Sequence, residues 1–410
     1  MRDLVRAWWR RVSSLTALEQ DAVLYLVASC FAAVVALTAL SSDYRFWGDV
    51  DAPVYLVAAA ACALVARSVR RSSAFAEEDS SWPGRRQAAR RGAARDPVRW
   101  SAWTRRAVVV FLLLAAVVLP LVAELASPSN GRPGADAQPE VAVIQQAGDR
   151  AAAHRDPYPS APDSYSVTPQ NDPSGPDESS FFPYLPGMVP FGLVNSISGP
   201  RELRDARVAL AGFTLLVVAL VLAYPGTTIG RRGRALQFLV VLPTGSLPMV
   251  TGGDDLPVLA LMLLGLVLAE RRRPVLAGLA LGLDATLKLT AWPVLLLMLL
   301  AVRDRKDRPA ALRYAVAAGA ILLPVLGVAI ALDPGSFVLN VVRFPLGLTK
   351  VKSPAASPLL GQVLVTLLPH EKRLITVVLV VAGLAVVLEA LRRHPPRTPA
   401  QVARFTCFAM

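Results

Sequence analysis

Long apolar runs recur along this chain of 410 residues, and they limit its fold more than any other feature of the sequence. The clearest runs are Ala22–Leu40, Ala52–Ala66, Ala107–Leu125, Val208–Tyr224, Ala235–Val250, Leu256–Ala269, Pro274–Val302, Ala311–Leu332 and Leu374–Leu391. A membrane-spanning helix needs roughly 20 mostly apolar residues, so the shorter runs use flanking residues to complete a span. A transmembrane barrel would show short alternating segments instead. The sequence therefore predicts an all-α polytopic membrane protein with roughly 9–11 transmembrane helices.

The formal net charge of +13 is carried mostly by short segments between the apolar runs. This is the positive-inside pattern of membrane proteins, so the charge does not indicate a nucleic-acid partner. The arginines before the first run predict a cytoplasmic N-terminus. The run lacks a convincing small-residue cleavage site, so we expect a retained signal-anchor. Abundant Ala, Arg, Val and Leu are typical of a high-GC bacterium. We therefore expect a multi-pass protein of a bacterial plasma membrane.

Changes in composition divide the chain into three predicted regions. Residues 1–66 hold the N-terminal membrane spans, and residues 67–106 form an arginine-rich cytoplasmic linker of a composition that favours disorder. Residues 107–410 form a membrane domain. It includes a long polar segment, residues 127–206, whose excess of acids places it outside the membrane as a large first loop.

Two stretches of this outer loop favour local structure. Glu140–Ala153 has a helical pattern, which Asp156-Pro157-Tyr158 ends. Phe181–Ser198 is apolar, but it is short and is interrupted by three prolines. If it spanned the membrane, the basic turn at residues 231–234 would fall outside, against the positive-inside rule. We therefore favour an interfacial or re-entrant segment over a span.

Lys288 places a cation in the middle of the long apolar run Pro274–Val302, which also contains Asp284. A charge at membrane depth costs a few kcal/mol and usually faces a cavity or a partner. Basic residues flank both ends of the run, so a short helical hairpin with its tip near Lys288 fits the charge and the topology. Two structural alternatives are that Lys288 snorkels to the interface or pairs with Asp284 one turn earlier.

Further polar residues belong to the segments predicted to lie outside. Asp254 and Asp255 follow a glycine pair, and they contact substrate or cap the helix that begins there. Two adjacent acids also allow Mg²⁺ or Mn²⁺, whereas the few histidines and cysteines show no metal-binding spacing. Arg343, Lys350 and Lys352 are cations in the last outer loop, where anionic lipid or phosphate is a candidate ligand.

The order of these features resembles the membrane-embedded glycosyltransferases of the GT-C class, in particular the polyprenyl-phosphate-sugar-dependent mannosyltransferases of family eighty-seven. The resemblance covers roughly residues 107–390. The matching elements, in chain order, are Glu140, Ala147-Gly148, Arg155-Asp156-Pro157-Tyr158, Pro183-Tyr184-Leu185-Pro186, Gly252-Gly253-Asp254-Asp255, and Gly278–Leu283 followed by Lys288 and Pro293.

The resemblance implies a GT-C-like fold and an enzyme that moves a sugar, mannose-like, from a polyprenyl-phosphate donor to a lipid or envelope-glycan acceptor on the outer face. It implies Glu140 as the catalytic base that takes the acceptor proton, with inversion at C1. Lys288 would stabilise the phosphate that leaves, with Asp254, Asp255, Tyr184 and Arg343 as further substrate-binding residues. Membrane lipids are the remaining expected partners.

Two other functions share some of these features. A lipid or solute transporter would also hold charges inside the membrane, but it predicts inverted repeats with broken helices, and the sequence shows no convincing repeat. A non-catalytic membrane scaffold would need no convergent site. Convergence of Glu140, Asp254 or Asp255, and Lys288 in one place separates an enzyme from a scaffold.

Overall fold

The computed structural model describes residues 15–79, 96–126, 137–160, 181–224, 229–304, 308–346 and 371–409, together with the pairs 348–349, 363–364 and 367–368. Within these ranges the regular structure is helical and contains no strand. The predicted all-α class is therefore confirmed.

Sixteen α-helices follow one another along the described chain. They are α1 (Ala17–Thr38), α2 (Ser42–Asp79), α3 (Asp96–Leu112), α4 (Leu119–Ala126), α5 (Pro139–Ala152), α6 (Val189–Leu193), α7 (Ala206–Ala223), α8 (Ile229–Leu236), α9 (Pro243–Thr251), α10 (Asp255–Glu270), α11 (Pro274–Asp284), α12 (Trp292–Asp304), α13 (Arg308–Leu332), α14 (Pro334–Val338), α15 (Lys372–Arg393) and α16 (Pro399–Ala409). Three π-helical segments continue α3, α8 and α14, at Leu113–Val118, Gln237–Val241 and Leu339–Arg343.

Six helical stretches of the described chain are long and apolar enough to cross a membrane. They are Ala17–Thr38, Ser42–Arg71, Trp100–Ala126, Ala206–Ala223, Arg308–Leu332 and Leu374–Arg393. The remaining predicted runs are also helical, but they form shorter or interrupted helices, α8 to α12. The protein is therefore a multi-pass membrane protein, as the apolar pattern predicts.

Two compact units divide the chain. Unit 1 contains Met1–Gly131 and Thr227–Gly253, and unit 2 contains Arg132–Gly226 and Asp254–Met410. The linker predicted at residues 67–106 is helical at both ends, since α2 continues to Asp79 and α3 begins at Asp96, so disorder is the wrong prediction for these parts. Residues 80–95 lie outside the described part of the chain, and the predicted division at this linker stays a prediction.

Buried polar contacts tie the helices of unit 1 together. Asp21 of α1, which is 1% exposed, binds Arg105 of α3 at 2.5 Å and also binds Arg234 of α8. On α2, the Tyr55 hydroxyl donates to the Val241 carbonyl at 2.6 Å, in the π-helical segment after α8. A buried carboxylate is costly unless it is paired, so the two arginines stabilise Asp21 inside the unit.

Glycines allow the helices of unit 2 to approach closely. A Cβ atom on Gly278 of α11 would lie 2.4 Å from the Tyr314 carbonyl oxygen of α13, and one on Gly282 would lie 2.6 Å from that of Ala318. Small residues at such crossings let backbones meet without cavities, which is how helices associate in membranes. The order of these contacts shows that α11 and α13 run parallel. The pair Gly278 and Gly282 therefore acts in helix packing.

Helix α5, which lies within the polar segment 127–206, packs against the short helix α6 through two glycines. A Cβ on Gly148 would lie 2.1 Å from the Gly192 carbonyl carbon, and a Cβ on Gly192 would lie 1.9 Å from the Ile144 carbonyl oxygen. The helix predicted at Glu140–Ala153 is thus confirmed, with nearly the predicted bounds. Its buried face includes Val141 and Ile144.

The proline-broken segment Phe181–Ser198 forms a chain of short turns. A 3-10 turn at Pro186–Met188 leads into α6, and a second turn at Val194–Ser196 follows it. No turn in this series approaches the roughly 20 residues of a span. The structure agrees with the preference for a non-spanning segment. Lys350 and Lys352 lie outside the described residues.

We predict that Gly148→Ala destabilises the protein, because the added methyl group would meet the backbone of Gly192 and push α5 from α6. Overpacking of this kind costs about 1–3 kcal/mol. Gly212→Ala is the matched control, since a Cβ there meets nothing within 4 Å and alanine favours a helix. Thermal unfolding of the purified variants measures both. Equal melting temperatures for the two variants would contradict the close contact.

Candidate active site

Two backbone hydrogen bonds join the segment after Tyr184 to the loop after α11. Leu185 N donates to Leu287 O at 3.0 Å, and Gly187 N donates to Thr286 O at 2.9 Å. A Cβ on Gly187 would lie 2.2 Å from the Thr286 hydroxyl oxygen and 2.7 Å from its carbonyl oxygen, so glycine permits this approach. The pairing places residue 184 beside the loop that carries Lys288.

Lys288 lies in the connection between α11 and α12. Helix α11 ends at Asp284, Lys288 has an extended backbone, and α12 begins at Trp292 after a 3-10 turn. The Trp292 indole donates to the Ala285 carbonyl at 3.0 Å and closes this connection. The break predicted near Lys288 is confirmed, and the long run Pro274–Val302 is a pair of short helices.

The Lys288 ammonium binds two carboxylates and faces an aromatic ring. Its Nζ lies 2.8 Å from Asp254 Oδ1 and 2.5 Å from Asp255 Oδ1. It also lies 5.1 Å from the centroid of the Tyr184 ring, within cation–π range. We call Tyr184, Asp254, Asp255 and Lys288 the Lys288 cluster. All four residues belong to unit 2.

Burial differs sharply among the charged members of the cluster. The side chains of Lys288 and Asp254 are 15% and 7% exposed, whereas that of Asp255 is 68% exposed. The bond to Asp254 is therefore a shielded ion pair, and the bond to Asp255 is open to solvent. Shielded pairs are strongly coupled, but exposed pairs contribute little.

The surroundings shift two pKa values in the cluster. Burial lowers the pKa of Lys288, but the charges of Asp254 and Asp255 and the hydrogen bonds that they accept raise it above its ordinary value overall. Lys288 therefore keeps its charge at neutral pH and loses it only in strong alkali. Burial, followed by the charge of Asp254, also raises the pKa of Tyr184.

Glu140 lies near the cluster, in the first turn of α5. It is half-buried, and its charge contributes to the raised pKa of Tyr184. The structure thus brings Glu140 into the electrostatic surroundings of Tyr184. The Tyr184 segment, the start of α10 and the loop after α11 meet in the Lys288 cluster, and Glu140 of α5 adds its charge to the surroundings of Tyr184.

The structure decides two of the open structural alternatives. Asp254 occupies the N-cap position of α10, as the sequence predicts, but its side chain makes no capping hydrogen bond and binds Lys288 instead. The proposed pairing of Lys288 with Asp284 is wrong, because Lys288 binds Asp254 and Asp255. Both Asp284 carboxylate oxygens are buried and have no hydrogen-bond partner among the described residues.

Arg343 is not part of the cluster in this structure. It ends the π-helical segment after α14 and is exposed, and within the described chain the ion pairs of Asp254 and Asp255 are with Lys288 and not with Arg343. Its neighbour Phe344 stacks on Phe181, with ring centroids 4.1 Å apart. Arg343 therefore lies next to the segment that leads to Tyr184, without reaching the cluster itself.

Two residues that position Tyr184 were not identified from the sequence. Asn340 is fully buried, and its side chain accepts from Phe182 N at 2.8 Å and donates to Pro159 O at 2.9 Å. The Tyr158 hydroxyl donates to Tyr184 O at 3.0 Å. Tyr158 belongs to one of the motifs that match the family, but the sequence indicated for it only the end of a helix, whereas Asn340 carries no local signal.

A metal ion finds no complete set of ligands in the described part of the chain. No group of three His, Cys, Asp or Glu residues there could hold one. Asp254 and Asp255 share the Lys288 ammonium instead. The divalent ion considered for these two aspartates therefore stays a prediction.

The comparison with protein-family models identifies a similar family. The model described as glycosyltransferase family 87 matches residues 184–410, more than half of the chain. This match confirms the resemblance drawn from the motif order. It includes the Lys288 cluster and Arg343, whereas Glu140 lies before it. Comparisons with curated proteins and with solved structures give no match.

We predict that Asp254→Asn destabilises the protein more than Asp255→Asn does. The first change leaves the shielded Lys288 without its buried partner and should cost about 3 kcal/mol. The second removes an exposed pair and should cost less than about 1 kcal/mol. Thermal unfolding at neutral pH compares the two isosteric variants. A larger loss for Asp255→Asn would show that the burial of the cluster is different in solution.

Proposed function

Because the chain belongs to glycosyltransferase family 87, we propose that this membrane protein transfers a mannose-like sugar from a polyprenyl-phosphate donor to a lipid or glycan acceptor. The observation that most supports this proposal is the Lys288 cluster, in which a cation between two apolar helices contacts an aromatic ring and two carboxylates. A scaffold would need no such convergence.

The proposed reaction needs one proton acceptor and one cation. The acceptor hydroxyl attacks C1 of the sugar, and its proton goes to the Glu140 carboxylate. The bond between C1 and the acceptor oxygen forms as the bond from C1 to the phosphate oxygen breaks. The electron pair of the broken bond leaves with the phosphate. The configuration at C1 is inverted. Lys288 stabilises the negative charge that develops on the leaving polyprenyl phosphate.

The charge balance of the resting site suggests how the donor enters. Glu140, Asp254 and Asp255 carry three formal negative charges against the single positive charge of Lys288. For the donor phosphate to bind Lys288, one of the carboxylates must therefore give up its contact with the ammonium group. Asp255 is 68% exposed and can turn away at little cost, whereas the buried Asp254 keeps Lys288 in place. In this proposal, the released Asp255 accepts hydrogen bonds from sugar hydroxyls.

Tyr184 and Arg343 complete the proposed substrate contacts. The Tyr184 ring lies under the Lys288 ammonium and offers an apolar face to the sugar. Arg343 is exposed, and its guanidinium group would bind two phosphate oxygens of the donor in this proposal. The prenyl tail would lie in the surrounding lipid. We also propose that the transfer takes place on the outer face of a bacterial plasma membrane and that the N-terminus lies in the cytoplasm.

We expect Lys288→Met to reduce sugar transfer about 100-fold or more, because the charge on the leaving phosphate loses its stabilising cation. The assay uses membranes that contain the protein and radiolabelled polyprenyl-phosphate mannose. Arg313→Met, which removes an exposed cation outside the cluster, is the control and should keep the wild-type rate. Glu140→Gln should lower the rate by a similar factor while donor binding persists.

Each outcome bears on a separate part of the proposal. If Lys288→Met kept a rate within about twofold of wild type, the assignment of the cation would be wrong. Full activity in Glu140→Gln would reject Glu140 as the base. If the wild-type protein is folded but transfers no label, the donor is another sugar carrier.

A further inference from the structure

A row of polar side chains lies on the buried face of α2 in unit 1. Trp47, Asp51 and Tyr55 recur every four residues, which places them on one face of the helix, and each is 0% exposed. Ser246 of α9 is also 0% exposed and contacts this face. The three residues of α2 lie outside residues 184–410, which the family model matches, so the family assigns them no role.

The contacts of Tyr55 and Ser246 determine where their two hydroxyl protons lie. The Tyr55 hydroxyl lies 2.6 Å from the carbonyl oxygen of Val241, which can only accept, so Tyr55 donates its single proton there. The Ser246 hydroxyl lies 2.8 Å from the Tyr55 oxygen. Because the Tyr55 proton is already used, Ser246 is the donor in this second contact. Neither hydroxyl then has a proton left for a third partner.

Asp51 receives no proton from its neighbours among the described residues. Its Oδ1 atom is buried and has no hydrogen-bond partner there, and its Oδ2 atom lies 3.5 Å from Ser246 Oγ. Ser246 donates to Tyr55, so a carboxylate at this position would face only the lone pairs of the serine oxygen. The indole N–H of Trp47, one turn earlier, does not help, since it has no partner in the described chain either.

Asp51 also lacks a cation, in contrast to Asp21 of the same unit. Asp21 is 1% exposed and binds both Arg105 and Arg234. Asp51 makes no ion pair with any described residue, although it lies within the candidate span Ser42–Arg71. A charge at such a place is costly without a partner, whereas a neutral acid avoids that cost.

We propose that Asp51 binds a proton and holds it as a neutral carboxylic acid, which donates to the oxygen of Ser246. The row of contacts from Asp51 through Ser246 and Tyr55 to the Val241 carbonyl then has one proton for each hydrogen bond. The bound proton thereby joins α2 to α9 inside unit 1. This site does not depend on the sugar transfer proposed above.

The test is infrared spectroscopy of the full chain at neutral pH, in a maltoside detergent that has no carbonyl group of its own. Wild type minus Asp51→Asn should show the C=O band of a protonated carboxylic acid, and this band should move to lower frequency in D2O. Asparagine is also neutral and can donate to Ser246, so we expect this variant to fold. Asp49→Asn is the matched control, because it removes an exposed carboxyl group from the same helix. It should leave the acid band unchanged.

A second variant keeps Asp51 and removes the acceptor of its proton. Ser246→Ala should move the acid band to higher frequency, because the acid loses its hydrogen bond. The proposal holds if the band is lost in Asp51→Asn, kept in Asp49→Asn and moved in Ser246→Ala. Loss of carboxylate bands instead of the acid band in Asp51→Asn would show an ionised Asp51 with water as its donor, and would overturn the proposal. An acid band that Ser246→Ala leaves in place would overturn it as well.

Discussion

The ion pair of Lys288 with Asp254 is the interaction on which the candidate site depends. A cation next to apolar helices is costly unless a partner compensates its lost hydration, and Asp254 is the shielded partner that does so. The pair joins the start of α10 to the loop after α11, so these two helices hold the charged groups at the same end. Asp255 adds a second, exposed bond that an entering anion can replace. The buried contact with Asp254 thus holds Lys288 in place, and the exposed contact with Asp255 leaves the cation accessible to substrate.

The backbone places the remaining groups around that cation. The bonds from Leu185 and Gly187 to the loop after α11 bring the Tyr184 ring to Lys288, and glycine makes this approach possible. Asn340 fixes the segment before Tyr184 through the amide of Phe182. The contact of Gly148 with Gly192 packs α5, which carries Glu140, against α6. The convergence of the site is thus a consequence of close backbone packing within unit 2, as is common for helices in lipid.

The sequence predicted the elements of the fold better than the contacts between them. Apolar runs identified every long helix, because burial in lipid demands continuous apolar sequence. The charge of Lys288 indicated where the long run 274–302 breaks, and the structure confirms the break. Local spacing suggested Asp284 as the partner of Lys288, but the actual partner lies 34 residues away and is brought close only by packing. Asn340 likewise acts across 158 residues on Phe182, so no local pattern could identify it.

A double-mutant cycle between Lys288 and Asp254 tests the central claim most directly. The free energy of unfolding would be measured for wild type, Lys288→Met, Asp254→Asn and the double variant, in the same detergent at neutral pH. A shielded ion pair predicts that the double variant is more stable than the sum of the single losses implies, by about 2 kcal/mol. Lys288→Met leaves the carboxylate of Asp254 buried without its cation, and Asp254→Asn leaves Lys288 with only the exposed Asp255. Additive losses would show that the two side chains do not interact in the folded protein, and they would contradict the candidate site.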